Sequence, residues 1–331
     1  MSPILPITID DVRSAASQLK GKAIRTPLIE NPELNEKVGG RVLFKPECLQ
    51  RTGSFKFRGA YNRLSRLTEA QKATGVVAFS SGNHAQGVAS AAKLLGMPAT
   101  IVMPADAPAL KMAKTKAYGA TVVTYDRYTE CRIEKAENIA AKTGAVVVPS
   151  YDDVFIMAGQ GTVGLEMAED CMDMGISPDQ ALICCGGGGL SSGSFTALKD
   201  AFPKLDGYVV EPSNGYDETG RSLDKGEIEQ ADVTKKSLCD ALMTQSPGQM
   251  PFAVLKELGI KGLSVSDEEA MQAVAFAARD LKLTVEPGGA VAVAAVLSGK
   301  LNLAGKTTLV VISGGNIDPA LQAQALLNNI L

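Results

Sequence analysis

The alternation of short β-branched runs with amphipathic helical segments is the feature of this sequence that most constrains its fold. Strand-like runs recur along nearly the whole chain, at residues 41–45, 76–79, 100–103, 121–125, 145–148, 181–185, 207–210 and 307–312. Apolar residues at helical spacing predict helices at 83–95, 129–142, 266–281 and 319–329, and Ser266 with Glu269 forms a capping box for the third. Repeated strand–helix units predict an α/β protein with parallel sheets flanked by helices.

The length of the chain, 331 residues, is enough for about two domains of roughly 150 residues each. Segments around Gly75 and Pro149 are candidates for the borders of a smaller, inserted domain. The longest apolar stretch, residues 288–297, is far shorter than the roughly 20 residues that a membrane span needs. The first residues lack a signal-peptide pattern, and six cysteines without a CxxC pair are typical of reduced proteins. We therefore expect a cytoplasmic protein.

The charge balance and the histidine content exclude several classes of function. Lys and Arg total 33 against 36 Asp and Glu, so a net charge of −3 predicts neither a nucleic acid nor a membrane surface as partner. His84 is the only histidine in the sequence, which excludes a His-rich metal site and any nucleophile pair that does not use it. The chemistry must depend on lysine, serine, carboxylates, backbone dipoles or a bound cofactor.

A lysine between two phenylalanines opens a predicted helix, in the run Ser54-Phe55-Lys56-Phe57. Flanking aromatic rings would desolvate the amine, lower its pKa and make it a nucleophile for an aldehyde. By itself this run is more often a solvated lysine beside two core phenylalanines.

Short polar residues stand where a predicted strand ends and a helix begins, in the run SSGNHAQ at residues 80–86. The N–H groups at such a helix start bind carboxylates well. A plain helix N-cap is the simpler alternative.

Four consecutive glycines, Gly186 to Gly189, lie between another predicted strand and a helix. They cost roughly 2–4 kcal/mol of backbone entropy relative to alanine, which a phosphate held by their N–H groups would offset. A tolerated flexible turn is the alternative, and the dinucleotide pattern GxGxxG does not match.

The three segments together supply an amine, a carboxylate site and a phosphate cradle. Pyridoxal 5′-phosphate (PLP) and an amino acid substrate require this combination. The rival hypothesis is a non-catalytic anion- or nucleotide-binding protein that uses only the glycine loop.

In this order, the runs SFKFRGA, SSGNHAQG, AGQGTVGLE and GGGGL closely resemble the serine/threonine dehydratase and serine racemase family, the fold type II PLP enzymes. The similarity extends from Thr26 to Asn316. It implies a two-domain, tryptophan synthase β-like fold, with a large cofactor-binding domain of residues 1–74 plus 151–331 and a small domain of residues 75–150. The cofactor would lie in the cleft between them, and the protein would be a homodimer.

The resemblance also implies roles for individual residues. Lys56 would bind the PLP aldehyde as a Schiff base and remove the substrate's α-proton, and Ser81 would be the acid and base on the opposite face. The implied cofactor contacts are Phe55, Asn83 at the 3′-oxygen, Ser313 at the pyridine nitrogen, and Gly186, Gly187, Gly188, Gly189 and Leu190 at the phosphate. The implied substrate contacts are Ser80, Ser81, Gly82, His84, Ala85 and Arg132.

The implied reaction is the dehydration of L-threonine or L-serine to a 2-oxo acid and ammonia. Many family members read Ala-Asp-Gly near the substrate, where this chain reads Cys239-Asp240-Ala241, so the substrate is left open. Arg132 would favour 3-hydroxyaspartate by binding its distal carboxylate, unless it is a solvated helix residue. A serine at position 81 leaves serine racemisation as a further alternative.

A divalent cation site is the last feature that the resemblance implies. Glu211, the carbonyl of Gly215 and Asp217 match the family's site, and hard oxygen ligands suit Mg²⁺ or Ca²⁺. Two surface acids near a turn are the alternative.

Overall fold

The computed structural model of the protein describes residues 5–80, 82–107, 109–126 and 128–328, and of residues 109 and 110 only the backbone. Within these ranges the strands form a six-stranded and a four-stranded sheet. In chain order the strands are β1 (Ile29–Glu30), β2 (Arg41–Pro46), β3 (Val76–Phe79), β4 (Ala99–Pro104), β5 (Thr121–Tyr125), β6 (Val146–Val147), β7 (Gln180–Cys184), β8 (Asp206–Pro212), β9 (Lys261–Val265) and β10 (Thr307–Ile312).

Helices cover both sheets and connect their strands. In chain order they are α1 (Ile9–Leu19), α2 (Pro32–Val38), α3 (Lys56–Ser65), α4 (Glu69–Thr74), α5 (Asn83–Leu94), α6 (Ala109–Ala117), α7 (Arg132–Thr143), α8 (Val154–Asp173), α9 (Gly189–Ala201), α10 (Glu218–Lys225), α11 (Gln249–Glu257), α12 (Asp267–Arg279), α13 (Pro287–Leu297) and α14 (Pro319–Asn328). Short 3-10 helices occupy Glu47–Leu49, Arg51–Gly53 and Asp240–Leu242.

The larger sheet has the strand order β1-β2-β10-β7-β8-β9, and the smaller one has the order β5-β4-β3-β6. Among the described strands all pairings are parallel except that of the short edge strand β1 with β2. Parallel neighbours need crossover connections, which the helices provide. The predicted α/β architecture is confirmed.

The predicted strands are confirmed to within two residues at either end, whereas β1 and β9 were not predicted. The helix predicted from residue 129 begins instead at Arg132, because Asp126 and Glu130 close a turn before it, with the Asp126 N–H donating to Glu130 at 2.7 Å. The capping box of Ser266 and Glu269 is present at the start of α12. Residue 329, the predicted end of the last helix, lies outside the described residues.

Two main hydrophobic cores support the sheets. The larger core surrounds the six-stranded sheet and includes most of α13, whose residues from Pro287 to Val296 are buried. The second core joins the four-stranded sheet to α5 and also to α3, through Phe57 and Leu64. Since α3 precedes residue 75, the division of the chain into domains at 75 and 150 stays a prediction. In the part of the chain described here, no helix has the length and apolar character of a membrane span.

A buried ionic network joins α3 to the larger sheet and to α8. The fully buried Arg58 guanidinium donates to both carboxylate oxygens of Glu47 at 2.7 and 2.8 Å, and to both of Glu166 at 2.7 and 2.9 Å. The buried Lys45 ammonium donates to Glu166 at 2.8 Å and to the Thr26 carbonyl at 2.6 Å. Two bases and two acids balance one another, and together they fix the first turn of α3.

Candidate active site

A cavity of about 450 Å³ lies between the two sheets. Its wall includes residues that lie one to three positions after β3, β6, β7 and β10, namely Ser80, Ser150, Gly186 and Ser313. Open parallel sheets bind ligands outside the carboxyl ends of their strands. The fold therefore brings together three sequence segments that are far apart in the chain.

Lys56 is the first residue of α3, and its amine faces the cavity. Its Nζ donates to the Ser150 carbonyl at 2.9 Å and lies 5.2 Å from the centre of the Phe55 ring. No carboxylate among the described residues forms an ion pair with it. Burial lowers the pKa of Lys56 to about 8.

The predicted flanking by two rings is half right. Phe55 lies beside the amine, but Phe57 packs in the core of the smaller sheet next to Tyr61. Successive helical positions point in different directions, so Lys56 and Phe57 do not share a face.

The glycine run Gly186 to Gly189 connects β7 to α9 and borders the cavity. Gly188 has a φ of 88°, a conformation that favours glycine. A Cβ on Gly187 would lie 2.2 Å from the ring of Tyr151, so the tyrosine packs directly on the loop. The first N–H groups of α9 have no acceptor within the helix, and this glycine-lined helix start is the chemistry that binds phosphate.

Helix α5 begins at the opposite wall with Asn83. The Asn83 amide donates to Glu286 at 2.6 Å and accepts from Asn316 at 2.8 Å. Before it, the Gly82 N–H donates to the Ser80 hydroxyl at 3.2 Å, and both residues line the cavity. Ser81, the predicted acid and base, lies outside the described residues.

His84 and Ala85 are less available than the resemblance implies. His84 is 3% exposed, its Nε2 lies 3.2 Å from the Val148 carbonyl, and burial next to Lys56 lowers its pKa to about 3. The side chain of Ala85 is fully buried in the hydrophobic core. Their contact with substrate stays a prediction, in which His84 would act as a neutral group.

The remaining predicted cofactor contacts line the same cavity. Ser313 follows β10, and Cys184 ends the neighbouring strand β7; both residues line the cavity. The Phe55 N–H donates to the Ser313 carbonyl at 3.1 Å, and Leu190 lies in the first turn of α9. The structure thus brings together Phe55, Lys56, Asn83, the four glycines, Leu190 and Ser313.

Charged residues surround the mouth of the cavity. Arg132, at the start of α7, stands 5.8 Å from the Phe79 ring and forms no ion pair with a described residue. Lys111 on α6 donates to Asp240 at 2.6 Å, so this ion pair crosses from the smaller sheet to the segment that differs from the family pattern.

Sequence reasoning missed Tyr151, Glu286 and Lys111. Tyr151 follows β6, and the rule that ligands bind at strand ends would have found it. Glu286 precedes the apolar helix α13, and its carboxylate is identified only by its contact with Asn83, 203 positions away in the chain.

Of the three predicted cation ligands, Glu211 lies near the end of β8, and Gly215 and Asp217 lie in the turn that follows. The buried Glu211 carboxylate accepts from the N–H groups of Thr219 at 3.0 Å and Gly220 at 2.7 Å. The Gly215 carbonyl accepts from the Asp232 N–H at 2.8 Å, and Asp217 pairs with Arg221 at 3.1 Å.

A further carboxyl group, that of Glu218, lies near Glu211. Burial and the charge of Glu218 raise the pKa of Glu211 to about 8. Glu218 Oε2 is buried and has no hydrogen-bond partner among the described residues. In the described ranges no three His, Cys, Asp or Glu side chains are grouped to hold a metal, so the cation site stays a prediction.

Comparison with known proteins places this site in a family. Residues 19–314 match the family model described as "Pyridoxal-phosphate dependent enzyme". The chain belongs to this family. Its membership confirms the resemblance, the fold class and the PLP cofactor, and it argues against the non-catalytic alternative.

Individual relatives agree with the family. The chain is 44% identical to the serine racemase of Schizosaccharomyces pombe, with 95% of each protein covered. It is 45% identical to the L-threo-3-hydroxyaspartate ammonia-lyase of a Pseudomonas species, with 93% of this chain and 95% of that protein covered. The crystal structure of a T.th. threonine deaminase superimposes with a TM-score of 0.88 at 39% identity, over 94% of this chain and 99% of that one.

The donor set of the cavity fits PLP. An aldehyde needs an amine that is neutral near neutral pH, and Lys56 has a pKa of about 8 and no carboxylate partner among the described residues. A phosphate needs backbone N–H groups without intervening side chains, and a Cβ on Gly187 or Gly188 would meet Tyr151 or Pro251 within 3 Å. Lys56 would hold the aldehyde, and the glycines would hold the phosphate.

Proposed function

We propose that this protein is a PLP-dependent ammonia-lyase that converts L-threonine or L-serine to a 2-oxo acid and ammonia. The predicted reaction class, ammonia-lyase chemistry on small hydroxy amino acids, is confirmed by relatives of that activity at 38–45% identity. The choice of threonine or serine is the proposal. The observation that carries the reaction chemistry is Lys56, a desolvated amine without a carboxylate partner in the described residues, placed in one cavity with a glycine cradle.

Bound PLP supplies an aldehyde for the substrate's amino group and a ring that withdraws electrons from Cα. With PLP bound, the Lys56 Nζ would accept the substrate's α-proton, since a pKa of about 8 keeps part of the amine neutral near neutral pH. The start of α5, with Ser80 and Gly82 before it, binds the substrate carboxylate through N–H groups. The C–O bond at Cβ then breaks, and the hydroxyl takes a proton and leaves as water.

Ser81, which lies outside the described residues, would supply the proton for the leaving hydroxyl, and a phosphate held at the glycine loop would be the alternative donor. The released enamine takes up water and gives the 2-oxo acid and ammonia. Ser313 presents a neutral hydroxyl near the proposed position of the pyridine nitrogen. A neutral partner stabilises a protonated ring less than a carboxylate would, which suits prompt loss of the hydroxyl.

3-Hydroxyaspartate is the second candidate substrate, and Arg132 favours it. This guanidinium lines the cavity mouth and pairs with no described carboxylate. A bidentate contact with the distal carboxylate of an acidic substrate would satisfy it. Serine racemisation remains the third alternative and depends on Ser81.

A substrate panel tests this choice. The holoenzyme is assayed with L-serine, L-threonine and the 3-hydroxyaspartate isomers, and 2-oxo acid and D-serine are measured. We expect 2-oxo acid from L-threonine or L-serine, with Arg132→Ala changing kcat/KM for them less than about threefold. If Arg132→Ala lowers kcat/KM by more than about tenfold for hydroxyaspartate alone, the acidic amino acid is the substrate.

Lys135→Ala serves as the matched control, because Lys135 lies on the same helix and pairs at the surface with Glu130. D-serine as the main product would favour the racemase. Absence of 2-oxo acid from every substrate would contradict the proposed reaction.

We also propose that Glu211, the Gly215 carbonyl and Asp217 hold Mg²⁺ or Ca²⁺. The support is the buried, unpartnered oxygen of Glu218 close to Glu211, because uncompensated carboxyl groups favour a cation nearby. Mg²⁺ or Ca²⁺ should raise the melting temperature of the protein but not that of Glu211→Gln. An equal rise in the variant would contradict the site.

The cytoplasmic location and the homodimer stay predictions. All six cysteines are free, which supports a reducing compartment. Light scattering of the holoenzyme should give twice the chain mass of 34.5 kDa. A mass of one chain would contradict the dimer.

A further inference from the structure

Glu286 is a buried carboxylate that the proposed reaction does not use. It precedes α13, is 4% exposed and lines the cavity. Its carboxylate accepts from Asn83 Nδ2 at 2.6 Å. Buried carboxylates are rarely retained without a role.

A glycine at position 314 leaves room for the Glu286 carboxylate. A Cβ on Gly314 would lie 2.1 Å from Glu286 Oε1, so any larger residue at 314 would displace it. The Glu286 N–H donates to the Gly314 carbonyl at 3.1 Å, which ties the backbone of the two segments together. The position of the carboxylate is therefore fixed from both sides.

The hydrogen bonds around Asn83 determine how its amide is oriented. Asn316 Nδ2 donates to the Thr52 carbonyl at 2.7 Å and to Asn83 Oδ1 at 2.8 Å, which uses both of its hydrogens. A backbone carbonyl only accepts, so Asn316 cannot turn over without losing this contact. Asn83 must consequently present its oxygen to Asn316.

Glu286, on the other side of Asn83, favours the same orientation of the amide. Glu286 is oriented to accept, and it receives one of the two Nδ2 hydrogens of Asn83. One N–H of Asn83 is left, on a residue that lines the cavity. The nitrogen of the amide therefore offers a donor to a ligand that binds beside it.

We infer that Glu286 is a positioning residue, which holds the Asn83 amide so that its remaining N–H binds the 3′-oxygen of PLP. This inference rests on the proposed function. It explains why an amide that could turn over is held with its nitrogen fixed as a donor, which matches an anionic oxygen on the ring.

A double-mutant cycle in the holoenzyme tests this inference. Dissociation constants for PLP and the visible absorption maximum are measured for wild type, Glu286→Gln, Asn83→Ala and the double variant. A glutamine at 286 can turn its NH₂ group toward Asn83, so one donor faces another. We expect about tenfold weaker PLP binding and a shifted maximum in Glu286→Gln.

In the Asn83→Ala background, Glu286→Gln should change the PLP dissociation constant by less than about twofold and leave the absorption maximum in place, because its effect passes through Asn83. Asn316→Asp disturbs the amide from the other side and should shift the maximum in the same direction. Melting temperatures identify any variant that does not fold, in which case Asn316→Asp carries the test.

Additive effects in the cycle, or an unchanged maximum in both Glu286→Gln and Asn316→Asp, would overturn the inference. Failure of the proposed function has a different signature. In that case the wild-type holoenzyme would form no 2-oxo acid from L-threonine or L-serine, whatever the cycle shows.

Discussion

Two polar regions flank the start of α3, and they differ in whether their charged side chains are paired within the chain. In the ionic network, Arg58 directs its guanidinium to Glu47 and Glu166, and Lys45 completes the balance within the chain. In the cavity, Lys56 has only a carbonyl as its polar partner in the described structure, and Arg132 has no ion-pair partner there. The two regions are two residues apart in sequence, at Lys56 and Arg58.

This difference distinguishes a charged side chain that stabilises the fold from one that is available to bind a ligand. A buried charge that is paired within the chain becomes costly when its partner is removed. An amine kept without a counterion is destabilised as an ammonium, and its pKa falls. The predictions below test whether stability depends on the first region and activity on the second.

The largest effect is expected for Lys56→Met. Ammonia-lyase activity should fall by about 10³- to 10⁴-fold, because the variant lacks the group that moves the α-proton. The apoprotein's free energy of unfolding should stay equal or rise, since a desolvated amine is replaced by an apolar side chain. Assays of 2-oxo acid and urea unfolding check the two parts, and a clear loss of apoprotein stability would contradict the comparison.

The converse change is Arg58→Met. We expect about 3–5 kcal/mol lower free energy of unfolding, because Glu47 and Glu166 would remain buried beside only one base. Urea unfolding of the apoprotein measures it against Lys56→Met, two positions earlier on the same helix. A loss below about 1 kcal/mol would show that the network does not support the fold.

A change of one residue in the glycine loop has the next largest effect. Gly187→Ala places a Cβ 2.2 Å from ring carbons of Tyr151, so the ring or the loop must move. We expect roughly 10- to 100-fold weaker PLP binding, measured by fluorescence titration. Tyr151→Ala in the same chain should restore part of the affinity, and no restoration would place the effect elsewhere.

The pH dependence of PLP uptake follows from the lowered pKa of Lys56. Only the neutral amine attacks an aldehyde, so the rate should rise with pH and level off above about 8. Below that value the rate should fall about tenfold per pH unit. Stopped-flow absorbance of the apoprotein with PLP measures the rate, and a plateau only near 10.5, the ordinary lysine value, would contradict the desolvation.

The smallest effect is expected at the mouth of the cavity. Lys111→Met should lower kcat/KM about two- to fivefold, since Asp240 is 57% exposed and such pairs are weak. Reversing the pair, with Lys111→Asp and Asp240→Lys in one chain, should recover part of the loss. Lys116→Met, at an exposed lysine on the same helix, is the control. Purely additive single effects would exclude a direct interaction.

The sequence predicts much of the fold and site because the signals are local. Strand runs, the lysine of α3, the start of α5 and the glycine loop each lie at an element end, where parallel sheets gather ligands. Strand β9 was missed because it is mostly half-exposed and includes Gly262, so no apolar run marks it. Tyr151 and Glu286 were missed because their roles depend on contacts with Gly187 and Asn83, which only the folded chain brings near.

Reduction of the holoenzyme with borohydride, followed by mass spectrometry of its peptides, tests the central claim most directly. The account predicts that a reduced PLP group is attached to the peptide that contains Lys56 and to no other. Attachment at a different lysine, or a yellow holoenzyme whose Lys56 peptide stays unmodified after reduction, would contradict it.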